Sequence, residues 1–209
     1  MGEETIDGPD EKIRLRSDEE LEAQSRGLEL LHDTLAGLGV LALLSGGTLL
    51  GAAREGDFIR WDWDVELSVR AEDVDGRLDE IADALTSTGF TLRERDDDAD
   101  NLKLVLGRDG AVFELQAYRL RGPWRIRRNF RTRQHFFADA TTIELRGRTY
   151  PCMGPLDDYL NDRYGDWRTP LRTADKSAYL APTYFRVPAW RRRAVAILRA
   201  VRRRLRFER

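Results

Sequence analysis

The decisive stretch of this sequence spans residues 45–66 and reads SGGTLLGAAREGDFIRWDWDVE. It opens with a tight turn at Gly46-Gly47, and Thr48 is placed to cap a short helix that extends through Arg54. A turn of this kind offers the backbone N–H groups of a helix N-terminus to an anion, and Arg54 adds a phosphate-sized clamp. The first half of the stretch therefore predicts a phosphate-receptive turn.

The second half of the stretch carries carboxylates at alternate positions. Asp62, Asp64 and Glu66 open a segment in which polar and apolar residues alternate, the pattern of a strand. Side chains at i and i+2 of a strand point to the same side, so these carboxylates face one space. Crowding like charges is unfavourable unless a cation neutralises them, and a divalent ion with oxygen ligands is the natural occupant.

A further carboxylate, Glu114, lies within the hydrophobic run of residues 112–115. Burying it without a partner is costly, and pairing beside the strand at 64–69 would bring it to the same ions. Taken alone, an Asp-x-Asp pair is usually an exposed strand edge, and a Gly-Gly pair is usually just a turn. The combination of turn, helix, Arg54, paired aspartates and a later strand carboxylate is much more specific.

The composition restricts which metal such a site would bind. The chain has 209 residues, 41% of them hydrophobic, which suits one domain with appendages and a sizeable core. One cysteine, Cys152, excludes an internal disulfide framework and a cysteine-based zinc cluster. With His32 and His135 as the two histidines, a multi-histidine site is also disfavoured. A metal at this site would therefore be held by oxygen ligands, which favours magnesium, manganese or calcium.

The order of predicted elements indicates a sheet with helices against it, in the α+β or α/β class. Asp109-Gly110 separates two strand-like runs and predicts a hairpin. The acidic residues Asp96, Asp97, Asp98 and Asp100 are interpreted as a solvated loop.

Ser17 followed by Glu20 is a capping-box signal, and leucines at 28, 31, 35 and 38 recur at helical spacing, so a helix is predicted for 18–38. The other predicted helices are 48–54, 74–85 and 157–164, the last two followed by Gly89 and Gly165. The predicted strands are 40–44, 64–69, 102–106, 111–120 and 142–145.

Charge is distributed unevenly along the chain. Residues 1–17 form an acidic extension, and residues 186–209 carry ten arginines against Glu208 alone. This basic tail has apolar residues at helical spacing, so it is interpreted as an amphipathic helix that either lies on an anionic membrane or packs on the domain with its arginines outward. Residues 34–53 lack charge but contain five glycines, and the first 20 residues are polar. We therefore expect no spanning segment and no secretory signal, and a cytoplasmic protein that is peripheral at most.

Two motifs carry a resemblance to a known family. Residues 47–64, with Gly47-Thr48-Leu49-Leu50-Gly51, Arg54, Gly56, Phe58-Ile59 and Trp61-Asp62-x-Asp64, resemble the signature of the LicD family. Tyr164-Gly165-Asp166-Trp167, with Pro170, is similar to its C-terminal motif. The resemblance spans about residues 28–171. The chain departs from the family pattern at Arg60, Trp63, Glu66 and Glu114.

The resemblance implies a nucleotidyltransferase-like fold over residues 18–185, with a mixed sheet flanked by helices. It implies transfer of phosphocholine or a polyol phosphate from a CDP-linked donor to a glycan or glycolipid acceptor, with Mg²⁺ or Mn²⁺ as cofactor. Matched position by position, it makes Asp62 and Asp64 the metal ligands and catalytic residues, with Glu114 as the third carboxylate. Contacts to the donor phosphates would come from Gly46, Gly47, Thr48 and Arg54.

Residues 119–133 contain seven arginines, with Trp124 and Phe130 between them. The function of this segment has several interpretations. Arg125, Arg127 and Arg128 are candidates for binding the donor diphosphate and cytosine or an anionic glycan. The segment could instead be solvated structure or bind nucleic acid, although a pI near 5.9 disfavours a dedicated nucleic-acid binder.

Two alternative functions follow from the same residues. The carboxylates would equally serve an NTP-dependent nucleotidyltransferase acting on a small molecule, which releases pyrophosphate. The other alternative is a non-catalytic module that binds nucleic acid or a partner through its arginines. The presence of Asp62, Asp64 and Glu114 argues against this alternative, because a binding module does not need their clustered negative charge.

Overall fold

A computed structural model of the chain describes residues 13–98 and 101–185. The predicted Arg-rich C-terminal helix, most of the acidic N-terminal extension and Asp100 lie outside these residues. Within the described residues, nine strands form one mixed sheet, and helices pack against it. This architecture confirms the predicted fold class.

The helices differ greatly in length, and the first is the longest of those described. It begins at the predicted capping box, in which the Ser17 hydroxyl accepts from the Glu20 N–H and the Glu20 carboxylate accepts from the Ser17 N–H. Its leucines at positions 28, 31 and 35 are buried against the sheet, as their spacing predicts. The helices are α1 (Asp18–Gly37), α2 (Gly46–Glu55), α3 (Ala71–Val74), α4 (Leu78–Ser87), α5 (His135–Ala138), α6 (Leu156–Tyr164) and α7 (Lys176–Tyr179), with a 3₁₀ turn at Pro182–Tyr184.

The sheet has the order β3-β4-β5-β2-β1-β9-β8, and a hairpin of β6 and β7 extends from β5. Its strands are β1 (Leu43–Leu44), β2 (Asp64–Arg70), β3 (Thr91–Asp98), β4 (Asn101–Arg108), β5 (Ala111–Arg121), β6 (Trp124–Arg127), β7 (Phe130–Arg133), β8 (Thr141–Leu145) and β9 (Arg148–Cys152). The pairs β2–β5 and β1–β9 are parallel, and the remaining pairs are antiparallel.

The central pair β2–β5 positions the site. Their register sets Glu66 opposite Glu114 and Ser68 opposite Gln116, so the polar side chains of both strands share one face. Val65, Leu67 and Val69 on the opposite face of β2 are fully buried. The predicted pairing of the Glu114 strand beside the 64–69 strand is therefore confirmed.

The β4–β5 hairpin also forms as predicted. Asp109 and Gly110 both have positive φ, at 50° and 79°, and a two-residue turn of this kind matches the twist of the strands it joins.

Several predicted elements are wrong in extent or in kind. The helix predicted for 74–85 is two helices, α3 and α4, because Asp75 is extended and Gly76 takes a left-handed conformation. The strand predicted for 40–44 is reduced to Leu43–Leu44. The acidic run at 96–98 is not a loop but the end of edge strand β3, where Asp96 accepts a hydrogen bond from Asn101 on β4 and Asp97 bonds Arg95. Strands β6, β7 and β9 were not predicted.

No helix among residues 13–98 and 101–185 combines the length and the apolar character needed to cross a bilayer.

Candidate active site

A cavity of about 440 Å³ lies beside the first residues of β2. Asp62, Asp64 and Glu66 line it from the β2 side, and Gly47 at the start of α2 lines it from beneath. The C-terminal part of the described chain contributes another wall: Arg163, Tyr164, Asp166, Trp167, Thr169, Pro170, Leu171, Thr173, Ala174, Lys176, Ala178, Tyr179, Leu180 and Tyr184. A volume of this size suits a small-molecule ligand.

Asp64 and Glu66 share one face of β2 because they alternate along the strand, and Asp62, two residues before the strand begins, lines the same cavity. Asp64 is 8% exposed and has no hydrogen-bond partner among the described residues. Asp62 accepts one hydrogen bond, from the N–H of Trp63 at 3.1 Å. Two closely spaced carboxylates with few partners therefore open onto the same space.

Burial and mutual repulsion act strongly on these two aspartates. Burial, reinforced by the negative charge of Glu66, raises the pKa of Asp62 to about 7. Burial also raises the pKa of Asp64 well above its usual range, and the charges of Glu66, Asp62 and Glu114 add to the effect. Such shifts express a cost of keeping both groups charged, and a bound cation removes that cost.

Glu66 differs from the two aspartates because it has partners. Burial opposes its charged form, but Arg163, Lys176 and the Gly47 N–H outweigh burial and hold its pKa below the usual value. The Gly47 N–H donates to Glu66 Oε2 at 2.8 Å, and Gln116 Nε2 donates to Oε1 at 3.2 Å. Arg163 lies 3.5 Å from the same Oε1. Glu66 is thus a satisfied anion at the N-terminus of α2.

The two glycines at the start of α2 allow this close approach. A Cβ at Gly46 would overlap the Glu66 carboxylate, and a Cβ at Gly47 would overlap the Asp62 carboxylate. Gly46 also has a positive φ of 58°, which other residues rarely adopt. The Gly-Gly turn is therefore required for the helix N-terminus to sit against the carboxylates.

The oxygen donors at the site fit Mg²⁺ or Mn²⁺. Among the described residues, no group of three or more His, Cys, Asp or Glu side chains is already arranged to hold a metal ion. Mg²⁺ does not need such a group, because it is commonly held by one or two carboxylates, with waters and substrate phosphates completing its shell. Half-buried Asp62 and buried Asp64, which both line the cavity, offer that donor set.

The sequence matches the family model described as LicD/FKTN/FKRP, nucleotidyltransferase domain, over residues 39–152, more than half of the chain. The chain belongs to the LicD family. The matched region contains the Gly-Gly turn, both cavity aspartates and Glu114. The C-terminal wall of the cavity lies beyond it.

Two curated relatives are the proteins named ribitol 5-phosphate transferase FKRP from Mus musculus and Homo sapiens. Each is 50% identical to this LicD-family chain over 61 residues. Those residues are 29% of this chain and 12% of each relative, so the chain matches a small part of their length.

Solved structures with similar folds are more distant. The antibiotic-resistance factor ANT(2'')-Ia matches with a TM-score of 0.46 and 15% identity, covering 64% of this chain and 66% of that one. Terminal uridylyl transferase 4 from Trypanosoma brucei, solved with bound CTP, matches with a TM-score of 0.35 and 19% identity, covering 51% of this chain and 32% of that one.

Some of the predicted site residues line the cavity of this LicD-family chain and others do not. The lining includes Asp62, Asp64, Gly47, Arg54 and Arg127. Gly46 is adjacent, with its position fixed by Glu66.

Thr48 is not a helix cap, because Ser45 occupies the cap position of α2. Its hydroxyl instead accepts a hydrogen bond from the Glu66 N–H at 2.8 Å. Thr48 is buried and joins α2 to β2.

Glu114 lies on the same face as Glu66 but outside the cavity lining. Its carboxylate accepts a hydrogen bond from Gln116 at 2.7 Å and lies 3.6 Å from the Lys103 ammonium. Its assignment as a metal ligand stays a prediction.

Arg125 and Arg128 are not brought to the cavity. Arg125 is 2% exposed and donates two hydrogen bonds of 2.6 Å to Glu72. Arg128 is exposed and donates to Asp96 at 2.8 Å. Both make ion pairs that stabilise the β6–β7 hairpin against neighbouring elements.

Sequence reasoning missed Arg163, Lys176, Tyr179 and Gln116 as cavity residues. Arg163 directly precedes the C-terminal family motif, which was the available signal for it. Lys176 and Tyr179 are far along the chain from the carboxylates, and no local pattern connects them.

Proposed function

We propose that this chain is a metal-dependent phosphotransferase that moves a phospho-alcohol group, phosphocholine or a polyol phosphate, from a CDP-linked donor to a glycan or glycolipid acceptor. Membership of the LicD family supports the reaction class. The proposal rests on the pair Asp62, which is half-buried, and Asp64, which is buried; both line a cavity of about 440 Å³.

The cavity lining suits a nucleotide-linked donor. The rings of Tyr164 and Tyr179 stack with their centroids 6.3 Å apart, and Trp61, Trp63 and Trp167 add aromatic surface. Aromatic side chains can stack on any nucleobase, because every base has a π-face. Positive side chains on the same walls complement the charge of a diphosphate.

Each residue has a distinct part in the proposed reaction. Asp62 and Asp64 would hold the divalent cation, Mg²⁺ or Mn²⁺, through their carboxylate oxygens. The bound cation would supply charge neutralisation to the donor diphosphate and to the departing CMP. Glu66, already bonded to the α2 N-terminus and Arg163, keeps the glycine turn in place beside the aspartates.

Proton transfer from the acceptor hydroxyl needs a base at the same site. We assign that role to a carboxylate; the sequence predicts Glu114, which lies opposite Glu66 on the neighbouring strand but outside the cavity lining. A Glu114→Gln variant tests its importance, because loss of turnover as large as that of Asp64→Asn is expected of a ligand or base. A near-normal rate would remove Glu114 from the mechanism.

The first experiment identifies the donor. The purified protein is incubated with CDP-choline, CDP-ribitol or CDP-glycerol, and in parallel with each NTP, with and without Mg²⁺. Thermal shift reports binding, and CMP or pyrophosphate release reports turnover. We expect a Mg²⁺-dependent rise in melting temperature and CMP release with one CDP-alcohol. Pyrophosphate release from an NTP would establish the nucleotidyltransferase alternative instead.

The second experiment tests the aspartate pair. Asp64→Asn should lower turnover by about 100-fold or more, since even residues that merely support metal ligands commonly contribute 10- to 100-fold. The variant should melt no lower than the wild type, because it relieves repulsion among buried carboxylates. Asp83→Asn, at an exposed position on α4, is the matched control and should retain full turnover. Normal turnover by Asp64→Asn would refute the mechanism.

A further inference from the structure

The anion-binding position of the glycine turn is already filled from within the chain. The Gly47 N–H donates to Glu66 Oε2 at 2.8 Å, and Arg163 and Gln116 hold the other carboxylate oxygen. A Cβ at Gly46 would overlap this carboxylate, which shows how closely it is seated. A donor phosphate therefore needs a cationic partner elsewhere on the cavity wall.

Arg127 and Arg163, two of the cationic residues that line the cavity, are committed to the protein. Arg127 donates to Asn101 at 3.2 Å and to Gln116 at 2.9 Å. Arg163 donates to the Tyr159 hydroxyl at 3.0 Å and faces Glu66. The Nε atom of each arginine is buried and has no hydrogen-bond partner within residues 13–98 and 101–185. Both side chains are held by protein contacts and are less than 10% exposed, so they are less accessible to a ligand than an exposed cation would be.

Arg54 and Lys176 also line the cavity, and they differ in accessibility. The Arg54 side chain is 7% exposed, and its guanidinium pairs with Glu55 at 3.0 Å. Lys176 is exposed, and within residues 13–98 and 101–185 its ammonium has no hydrogen bond or ion pair. Its backbone is fixed, because the Asp175 carboxylate caps α7 by accepting from the Ser177 N–H at 2.8 Å.

Lys176 lines the same cavity as Asp62, Asp64 and Glu66. Its positive charge acts on Asp62, Asp64 and Glu66, in each case favouring the ionised carboxylate. Its exposed side chain is therefore available to the phosphates of a ligand that occupies this cavity and contacts the aspartates.

We propose that Lys176 binds the phosphate oxygens of a nucleoside diphosphate ligand in the cavity, opposite Asp62 and Asp64. This inference rests on the proposed function for the identity of the ligand. Lysine suits the task as a compact charge with three donors on a flexible stem, which can follow a phosphate as it moves. Lys176 thereby takes the contact that the occupied glycine turn cannot make.

The test uses CDP, which has the diphosphate but no group to transfer, so that binding is measured apart from turnover. Calorimetry with Mg²⁺ gives the affinity of the wild type, Lys176→Gln, Lys176→Arg and Arg121→Gln. We expect Lys176→Gln to weaken CDP binding about 10- to 100-fold, the range for a hydrogen bond to a charged group. Lys176→Arg should recover most of this loss.

Arg121→Gln is the matched control, because Arg121 is an exposed cation outside the cavity lining and its removal changes net charge equally. It should bind CDP like the wild type. Equal affinity for CDP in Lys176→Gln and the wild type would overturn the inference, as would a wild type that does not bind CDP.

Different results would reject the proposed reaction and the proposed Lys176 contact. Lysine-dependent CDP binding without CMP release from any CDP-alcohol would reject the proposed reaction but support the Lys176 contact. Mg²⁺-dependent CMP release with an unchanged KM in Lys176→Gln would support the reaction and reject the contact.

Discussion

At the scale of single residues, the three alternate carboxylates Asp62, Asp64 and Glu66 have different surroundings. Glu66 is paired with a helix N-terminus, an arginine and an amide, and its pKa is lowered. Asp62 and Asp64 have few partners, and their pKa values are raised. All three line the same cavity, so the difference comes from the partners that each side chain meets there. Function is therefore expected at the two unsatisfied aspartates.

Gly47 gives a prediction at this scale. Gly47→Ala would force a methyl group into the Asp62 carboxylate, so we expect turnover to fall by about 100-fold, as misplacement of a reacting group by about 1 Å can cause. Overpacking should also lower the free energy of unfolding by about 1–3 kcal/mol. CMP release and urea denaturation measure the two effects.

Gly37→Ala is the control for this prediction. Gly37 is the last residue of α1, and a Cβ there would meet nothing within 4 Å. Because alanine favours helix over glycine, this variant should be unchanged or more stable by up to about 1 kcal/mol. If both alanine variants retain turnover, the close packing of Gly47 against Asp62 is wrong.

At the scale of elements, the site depends on how α2 is attached to β2. Among the described residues, four hydrogen bonds join β2 to the start of α2 and its cap residue Ser45. The Gly47 N–H donates to the Glu66 carboxylate, the Ser45 N–H donates to the Glu66 carbonyl at 3.3 Å, the Glu66 N–H donates to the Thr48 hydroxyl, and the Ser68 hydroxyl donates to the Ser45 hydroxyl at 2.7 Å. The β5 strand beside them supplies Gln116, which bonds Glu66 and Glu114 together. The carboxylates are thus held by a helix–strand unit, not by a loop.

Thr48 gives the prediction for this unit. Thr48→Val keeps the shape of the side chain but leaves the Glu66 N–H without its acceptor, which should cost about 1–3 kcal/mol of unfolding free energy. Thr48→Ser keeps the acceptor and removes one methyl group, so a smaller loss of about 1 kcal/mol is expected. Chemical denaturation of the two variants checks the order. A stable Thr48→Val protein with weakened donor binding would instead place Thr48 in the substrate site, as the family resemblance implies.

At the scale of the whole molecule, the mixed sheet holds distant parts of the chain together. Strand β9 lies between β1 and β8, with Cys152 opposite Leu44 on one side and Thr141 on the other. Cys152 is fully buried, and burial raises the pKa of its thiol to about 11. It is also the single cysteine of the chain, which makes it a specific probe of sheet integrity.

We therefore expect the native protein to resist thiol reagents. At pH 8, the rate of reaction of Cys152 with a disulfide reagent should be at least about 100-fold lower in buffer than in denaturing urea, because burial suppresses both access and thiolate formation. Absorbance at the reagent's product wavelength follows the reaction. Equal rates in the two conditions would show that β9 is not enclosed between β1 and β8.

Local patterns were sufficient for much of the fold. The capping box at Ser17, the leucine spacing of α1, the alternation in β2 and the Asp109-Gly110 hairpin depend on contacts within a few residues, and each is confirmed. The acidic end of β3 and the arginine-rich hairpin β6–β7 could not be predicted in this way. Their strands form through pairing with β4 and β5, which outweighs the low strand preference of charged residues.

The sequence by itself determined the glycine turn and the shared face of Asp64 and Glu66, because strand geometry places i and i+2 together without help from distant residues. Only the tertiary structure decided that Asp62, just before the strand, lines the same cavity, that Glu66 takes the anion position of the turn, that Arg125 and Arg128 pair away from the cavity, and that Lys176 lines the cavity with the aspartates. These outcomes depend on which side chains the folded chain brings within a few ångströms of one another, and electrostatic and hydrogen-bond energies are set by those distances rather than by separation in sequence.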